Sequence, residues 1–212
     1  MTPFKLLAAI GVGIASIAAF NLGAMQLTTK VLLDMPAMEA QGEYFRIGQE
    51  AMRKYPKLSP LEARSTYSNE LLIEHLEKAA DDRARAILGA ETFIGFWMLQ
   101  GRARAEFCAE AGVDFASFRA AFEARNKNQH ERAIALLSEQ GTSEERLYEM
   151  FTQPMRDQVQ YEMLYIKSGL PTERKAACDY LLSKRVEILP FLEFHRAVPA
   201  ANRALMIYGR DR

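Results

Sequence analysis

Cys108 follows two arginines in the run Arg102-Ala-Arg-Ala-Glu-Phe-Cys108, and it is one of only two cysteines in 212 residues. A thiol beside guanidinium groups has the setting of a nucleophile, because neighbouring cations favour the thiolate. The helical reading of the segment weakens that expectation. Cys108 then falls in the last turns before Gly112, where the negative end of the helix dipole disfavours a thiolate. The other cysteine, Cys178, lies in KAACDYLL on the apolar side of a second predicted helix. Two cysteines and no third, in a chain expected to be exported, predict a Cys108–Cys178 disulfide. Two separate buried thiols, or a reactive Cys108, are the alternatives.

Glu91 is the second candidate for chemistry. It is the only charge in the 16-residue window AILGAETFIGFWMLQG, which also holds the only tryptophan, Trp97. A carboxylate near a core must pair with a cation, stay protonated or reach solvent, so Glu91 is a candidate general acid or ligand anchor in an aromatic-lined pocket. A structural ion pair is the competing reading. Arg102 and Arg104, with Trp97, are candidate ligand-binding residues for a carboxylate or phosphate; an ordinary charged helix end is the alternative. His75, His130 and His195 come from distant segments with no metal-ligand spacing, so no metal site is expected. There is no CxxCH, CxxC, HExxH, glycine-rich phosphate loop or GxSxG, and no histidine has a glutamate three residues before it, so no cofactor is expected.

The elements that would carry these residues read as helices. Ser59-Pro-Leu-Glu62 is a capping box with proline at the first helical position. Apolar residues then recur through Leu72 and Leu76 to about Ala80. Asp81 and Asp82 resemble an acidic first turn, with Arg85 as a partner for Asp81. That segment runs to about Ala111 and stops at Gly112. Asp114 is expected to cap a helix whose Phe115, Phe118 and Phe122 stripe faces the core, with a partner-binding groove as the sharper reading; Gly141 ends it. Thr142-Ser-Glu-Glu145 predicts another capping box, Pro154 a kink, and Gly169 with Pro171 the next boundary. ERKAACDYLLSKRVEIL reads as helical up to Pro190, with one or two short helices beyond. No alternating strand-like run occurs. The fold class is all-α: an N-terminal transmembrane or signal helix over 1–30, a linker with a short helix over 31–58, and one bundle of about six amphipathic helices over 59–212.

Lys5 and Lys30 bracket 24 uncharged residues, about 36 Å as a helix, enough to cross a hydrocarbon core of about 30 Å. An uncleaved anchor is expected and a cleaved secretory signal is the alternative; the small-x-small pair Ser16 and Ala18 lies inside the apolar run. The charges flanking the run place the body in the periplasm, weakly. Lys plus Arg and Asp plus Glu both number 27, so no net field favours nucleic acid. Two functional readings follow. One is a membrane-tethered, exported helical domain that binds a protein partner as an accessory or assembly subunit of a bacterial envelope complex. The other is a small cofactor-free exported enzyme, mutase-like, with arginines and a carboxylate acting on an anionic substrate. They differ in whether Glu91, Arg102 or Arg104 and a further cation converge on one pocket.

Overall fold

The computed structural model describes residues 37–164, 166 and 172–207, and the expected anchor over 1–30 lies outside them. So does the boundary expected at Gly169 and Pro171. Within the described residues the chain is all-helical, without strands. Helix α1 (Ala37–Lys54) is longer than the short helix expected from Glu43 and docks along α2 (Pro60–Lys78), with Ile47 and Ala51 buried against it. The Ser59 box forms as expected: its Oγ accepts from the Glu62 N–H, and the Glu62 carboxylate accepts from the Ser59 N–H at 3.0 Å. Such reciprocal capping satisfies two otherwise orphaned donors.

Ala79 is extended and breaks the chain before α3 (Asp82–Trp97), so α2 and α3 are separate helices. Asp81 caps α3 by accepting from Ala84 N–H at 2.7 Å; its carboxylate is thereby committed, and Arg85 pairs with Asp82 instead of Asp81. Helix α3 continues through a π-helical turn, Met98–Ala103, into α4 (Arg104–Ala109). From Gly89 to Phe96 every residue is buried, as in a helix enclosed on all sides.

Helices α5 (Ala116–Ser138) and α6 (Glu144–Leu164) follow, then α7 (Arg174–Ser183), α8 (Arg185–Ile188), a 3-10 turn over Leu189–Leu192, α9 (Phe194–Ala197) and α10 (Pro199–Ile207). Counting α3, the π turn and α4 as one gives about nine helices among the described residues. One of these is α1, expected separately in the linker over 31–58; the remaining excess over the expected six arises largely at the C-terminal end, where the predicted run to Pro190 breaks at Lys184 into short pieces.

Gly112 and Gly141, the two predicted stops, both have φ of 72°. At each, the following residue's N–H reaches back five residues, Val113 to the Cys108 carbonyl and Thr142 to that of Leu137. This is the left-handed closure that glycine adopts without steric penalty. Two cap predictions shift by small amounts. Asp114 accepts from Ala116 N–H just before α5, and Ser143, not Thr142, accepts from Arg146 N–H at the start of α6. Pro154 lies inside α6, which continues through it.

The core is one cluster running from Leu72 to Leu205, with Phe93, Phe96, Phe122 and Phe194 in mutual ring contact at its centre. Asn126, fully buried, ties α5 to the C-terminal pieces: its amide donates to the carbonyls of Phe122 and Leu192, and its oxygen accepts from Phe194 N–H at 2.8 Å. Helix α10 lies directly on α3. A Cβ at Gly89 would sit 2.6 Å from Leu205 N and 2.7 Å from Ala201 O. Gly89→Ala is therefore expected to destabilise the fold by about 1–3 kcal/mol, because backbone must move, and the helix-propensity gain of about 1 kcal/mol does not restore the loss. Denaturant unfolding checks this; an alanine variant more stable than the parent would contradict the close crossing.

Candidate functional site

Trp97 stands at the end of α3, immediately before the π turn. Its ring packs on Phe93 and Phe122, with centroids 5.8 and 5.5 Å away, and stacks against the His130 imidazole at 4.0 Å and 19°. Both rings hold one carboxylate. Trp97 Nε1 donates to Glu144 Oε1 at 3.1 Å, and His130 Nε2 meets Glu144 Oε2 at 2.7 Å. Glu144 is the first residue of α6, where the helix dipole favours a negative charge. Three helices thus contribute one side chain each to a Trp–Glu–His unit.

This unit forms one wall of a groove of about 560 Å³, within the range of ligand-sized clefts. The other wall is a single face of α5: Arg119, Ala120, Glu123, Ala124 and Lys127, spaced at one, four, five and eight residues. The two alanines keep the wall low. Arg119 Nε donates to Glu123 at 2.7 Å, and Lys127 lies 3.7 Å from Glu131 with both side chains largely in solvent.

The π turn explains how α3 serves this site and its neighbour together. Hydrogen bonding from i to i+5 brings residues five apart onto one face, and Trp97 and Arg102 are five apart. Trp97 grips Glu144, while Arg102 makes a two-pronged pair with Glu145 at 2.7 and 3.0 Å. Arg102 also donates to Glu106 at 3.2 Å and lies over the Tyr148 ring at 3.6 Å. The Tyr148 hydroxyl donates to Glu106 at 2.5 Å. Burial and Glu106 push the Tyr148 hydroxyl up, and the Glu145 carboxylate pushes Arg102 up while Arg102 holds Glu145 down. Arg102 is a fixed cation of the α3–α6 junction.

The other candidates lie elsewhere. Arg104 is buried in an ion pair with Glu162, whose second oxygen accepts from Gln158 at 2.9 Å. Burial pushes the Glu162 carboxyl up, against the pull of Arg104. Glu91 is 3% exposed and engaged in the interior. None of Glu91, Arg102 and Arg104 lines the groove; of the predicted residues only Trp97 does. Cys108 and Cys178 are fully buried, with sulfurs at disulfide distance and Cα atoms 5.7 Å apart. They join α4 to α7. Phe115, Phe118 and Phe122 are buried, and Phe115 stacks on Phe118 at 4.5 Å.

Among the described residues no three of His, Cys, Asp and Glu are grouped as metal ligands would be. His75 sits half-buried on α2, where desolvation lowers its pKa, and His195 on α9 lies 3.6 Å from Glu193. The chain matches no family model, no curated protein and no solved structure.

Sequence reasoning passed over His130 and Glu144. His130 stands in the polar run RNKNQHER, where a surface or a satisfied core histidine is the ordinary reading, and Glu144 in a helix start. The available signal was Ala120 and Ala124, four apart and flanked by charges, on the side of α5 away from Phe118 and Phe122.

Proposed function

We propose that this chain is a membrane-tethered, exported helical domain that binds a segment of a protein partner in the Trp97–His130 groove, as an accessory or assembly subunit of a bacterial envelope complex. One observation carries the reading: an open groove whose aromatic wall is held in place by Glu144, facing a low wall of two alanines on α5. A pre-ordered aromatic wall loses little entropy when a partner packs on it, which favours binding. The uncharged run between Lys5 and Lys30 supports the tether, and the Cys108–Cys178 pair supports an oxidising compartment. The mutase-like alternative has less support, since Glu91, Arg102 and Arg104 are each engaged away from the groove.

A photo-crosslinker at Ala124, in the protein in its native membrane, is expected to join a stoichiometric protein partner; one at Val186, which is 78% exposed and not part of the groove lining, is expected to join none. Ala120→Arg is expected to lower the Ala124 crosslink at least tenfold with no change in thermal unfolding. A chain recovered alone from Ala124, or equal yields from both positions, would sink the reading. Mass spectrometry of the mature, non-reduced protein tests the tether: an N-terminus at residue 19 or later would replace the anchor with a cleaved signal.

A further inference from the structure

Resting on the groove as a docking site, we infer that its occupant is a second copy of this chain, with α5 lying antiparallel on α5 across a twofold axis. The order of charges along α5 carries the inference. Arg119, Glu123, Lys127 and Glu131 follow one another four residues apart, positive, negative, positive, negative, over about 18 Å of helix. The first three line the groove and the fourth continues the row. Arg119 pairs with Glu123 and Lys127 with Glu131 along the helix, but these side chains are between 35% and 72% exposed. Pairs so exposed contribute little and stay open to further partners. The row is neutral as a whole, so it attracts neither an acidic nor a basic segment. It discriminates by the order of its charges, and the complement of this order is the same row read backwards.

A twofold axis at the level of Arg125 sets Arg119 opposite Glu131 of the second copy, and Glu123 opposite Lys127 of the second copy. The symmetry repeats both contacts, so all four charges of each copy meet the opposite sign. A parallel pairing in register would set each charge against its own kind, which disfavours it. Shape agrees with charge. Residues four apart form the ridges by which helices most often pack, and beside the charged ridge Ala120 and Ala124 form a low one that leaves space for the opposing row. The same axis brings Ala120 of the second copy to the level of His130, so a small side chain meets the stacked Trp97–His130 wall. Arg125 does not line the groove; it pairs with Glu193 ahead of α9, and two like charges are not set face to face at the centre. Glu144 adds no conflict, since its oxygens are held by Trp97 and His130.

Sedimentation of the full chain in detergent is expected to show a dimer. Glu123→Lys and Lys127→Glu each place like charges at both symmetric contacts, and each is expected to raise the dimer dissociation constant about tenfold or more. Mixed in equal amounts, the two single variants oppose lysine to glutamate at both contacts and are expected to form a mixed dimer as tight as the parent. The doubly exchanged chain, Glu123→Lys with Lys127→Glu, is expected to pair with itself equally well. Variants that had merely lost their fold would not rescue each other. The product crosslinked through Ala124 is expected to have twice the mass of the chain. A dimer that survives both single variants, as one held through the uncharged N-terminal run would, overturns this inference, and so does a mixture of the two that stays monomeric. A monomeric parent whose Ala124 crosslinker captures a different protein overturns the second copy while leaving the groove as a docking site. A monomer with no crosslink at Ala124 overturns both.

Discussion

Arg104→Met is expected to lower stability by about 3–5 kcal/mol at neutral pH, while Arg104→Met combined with Glu162→Leu is expected to return close to the parent or exceed it. The side chains of Arg104 and Glu162 are 8% and 7% exposed and hold each other. Among the described residues, Gln158 supplies the only other hydrogen bond to the carboxylate. Removing the guanidinium alone strands a carboxylate in the interior. Removing both charges removes the desolvation cost with them, which is why the double substitution costs so little.

The single variant also carries a pH signature. Burial already pushes the Glu162 carboxyl up against the pull of Arg104, and losing Arg104 pushes it further. The folded state then tolerates the protonated acid. Its penalty is small below the usual carboxyl value of about 4.3 and grows as pH rises through the raised folded value. Denaturant unfolding at pH 5 and pH 8 distinguishes this from simple loss of packing. A deficit that is equal at both values, or that persists in the double variant, would mean the pair is not desolvated in solution.

Loss of the Cys108–Cys178 link is the second large effect. Closing a loop across a separation of 70 residues stabilises the fold by about 4 kcal/mol on the chain-entropy model. The other ties of α7 to α4 are weak: Arg174 meets Glu110 at 2.6 Å in an exposed pair and lies 4.4 Å over the Phe107 ring, each worth about 1 kcal/mol or less. The Cys108→Ala, Cys178→Ala variant is expected to unfold at markedly lower denaturant, with α7 losing amide protection first. Because both sulfurs are fully buried, reductant alone is expected to act slowly on the native protein and quickly once denaturant opens it. Equal unfolding midpoints for oxidised and reduced protein would contradict this.

What could be read in advance was local. The Ser59 box, the Asp81 cap and the turns at Gly112 and Gly141 depend on residues within a few positions of each other, and short-range hydrogen bonding decides them. The cysteine pair followed from counting. The partners of the arginines did not follow, because Arg102 meets Glu145 and Arg104 meets Glu162 across 43 and 58 residues. The π turn was invisible for a related reason. In MLQGRA only Gly101 departs from α-helical preference, and a lone glycine does not specify a π turn; the register change accompanies the need for Trp97 and Arg102 to reach two adjacent glutamates on another helix. Asn126 and His130 both stand in the polar run RNKNQHER, yet one pins the core and the other lines the groove. A polar run on a long helix faces both ways, and only packing decides which members point inward.

The Cys108–Cys178 link also determines how the molecule bears load. With the proposed N-terminal tether and a pull at its other end, the domain is a mechanical element in series with the membrane. Tension entering through α3 and α4 leaves through α7 by way of the two sulfurs, so the covalent loop holding α5 and α6 is shielded from it. Of the groove helices, α5 and α6 are thereby kept folded under end-to-end force, while α3, which carries Trp97, bears it. In a force-extension experiment, reduction is expected to release about 240 Å of additional contour, the 70-residue separation at about 3.4 Å per residue.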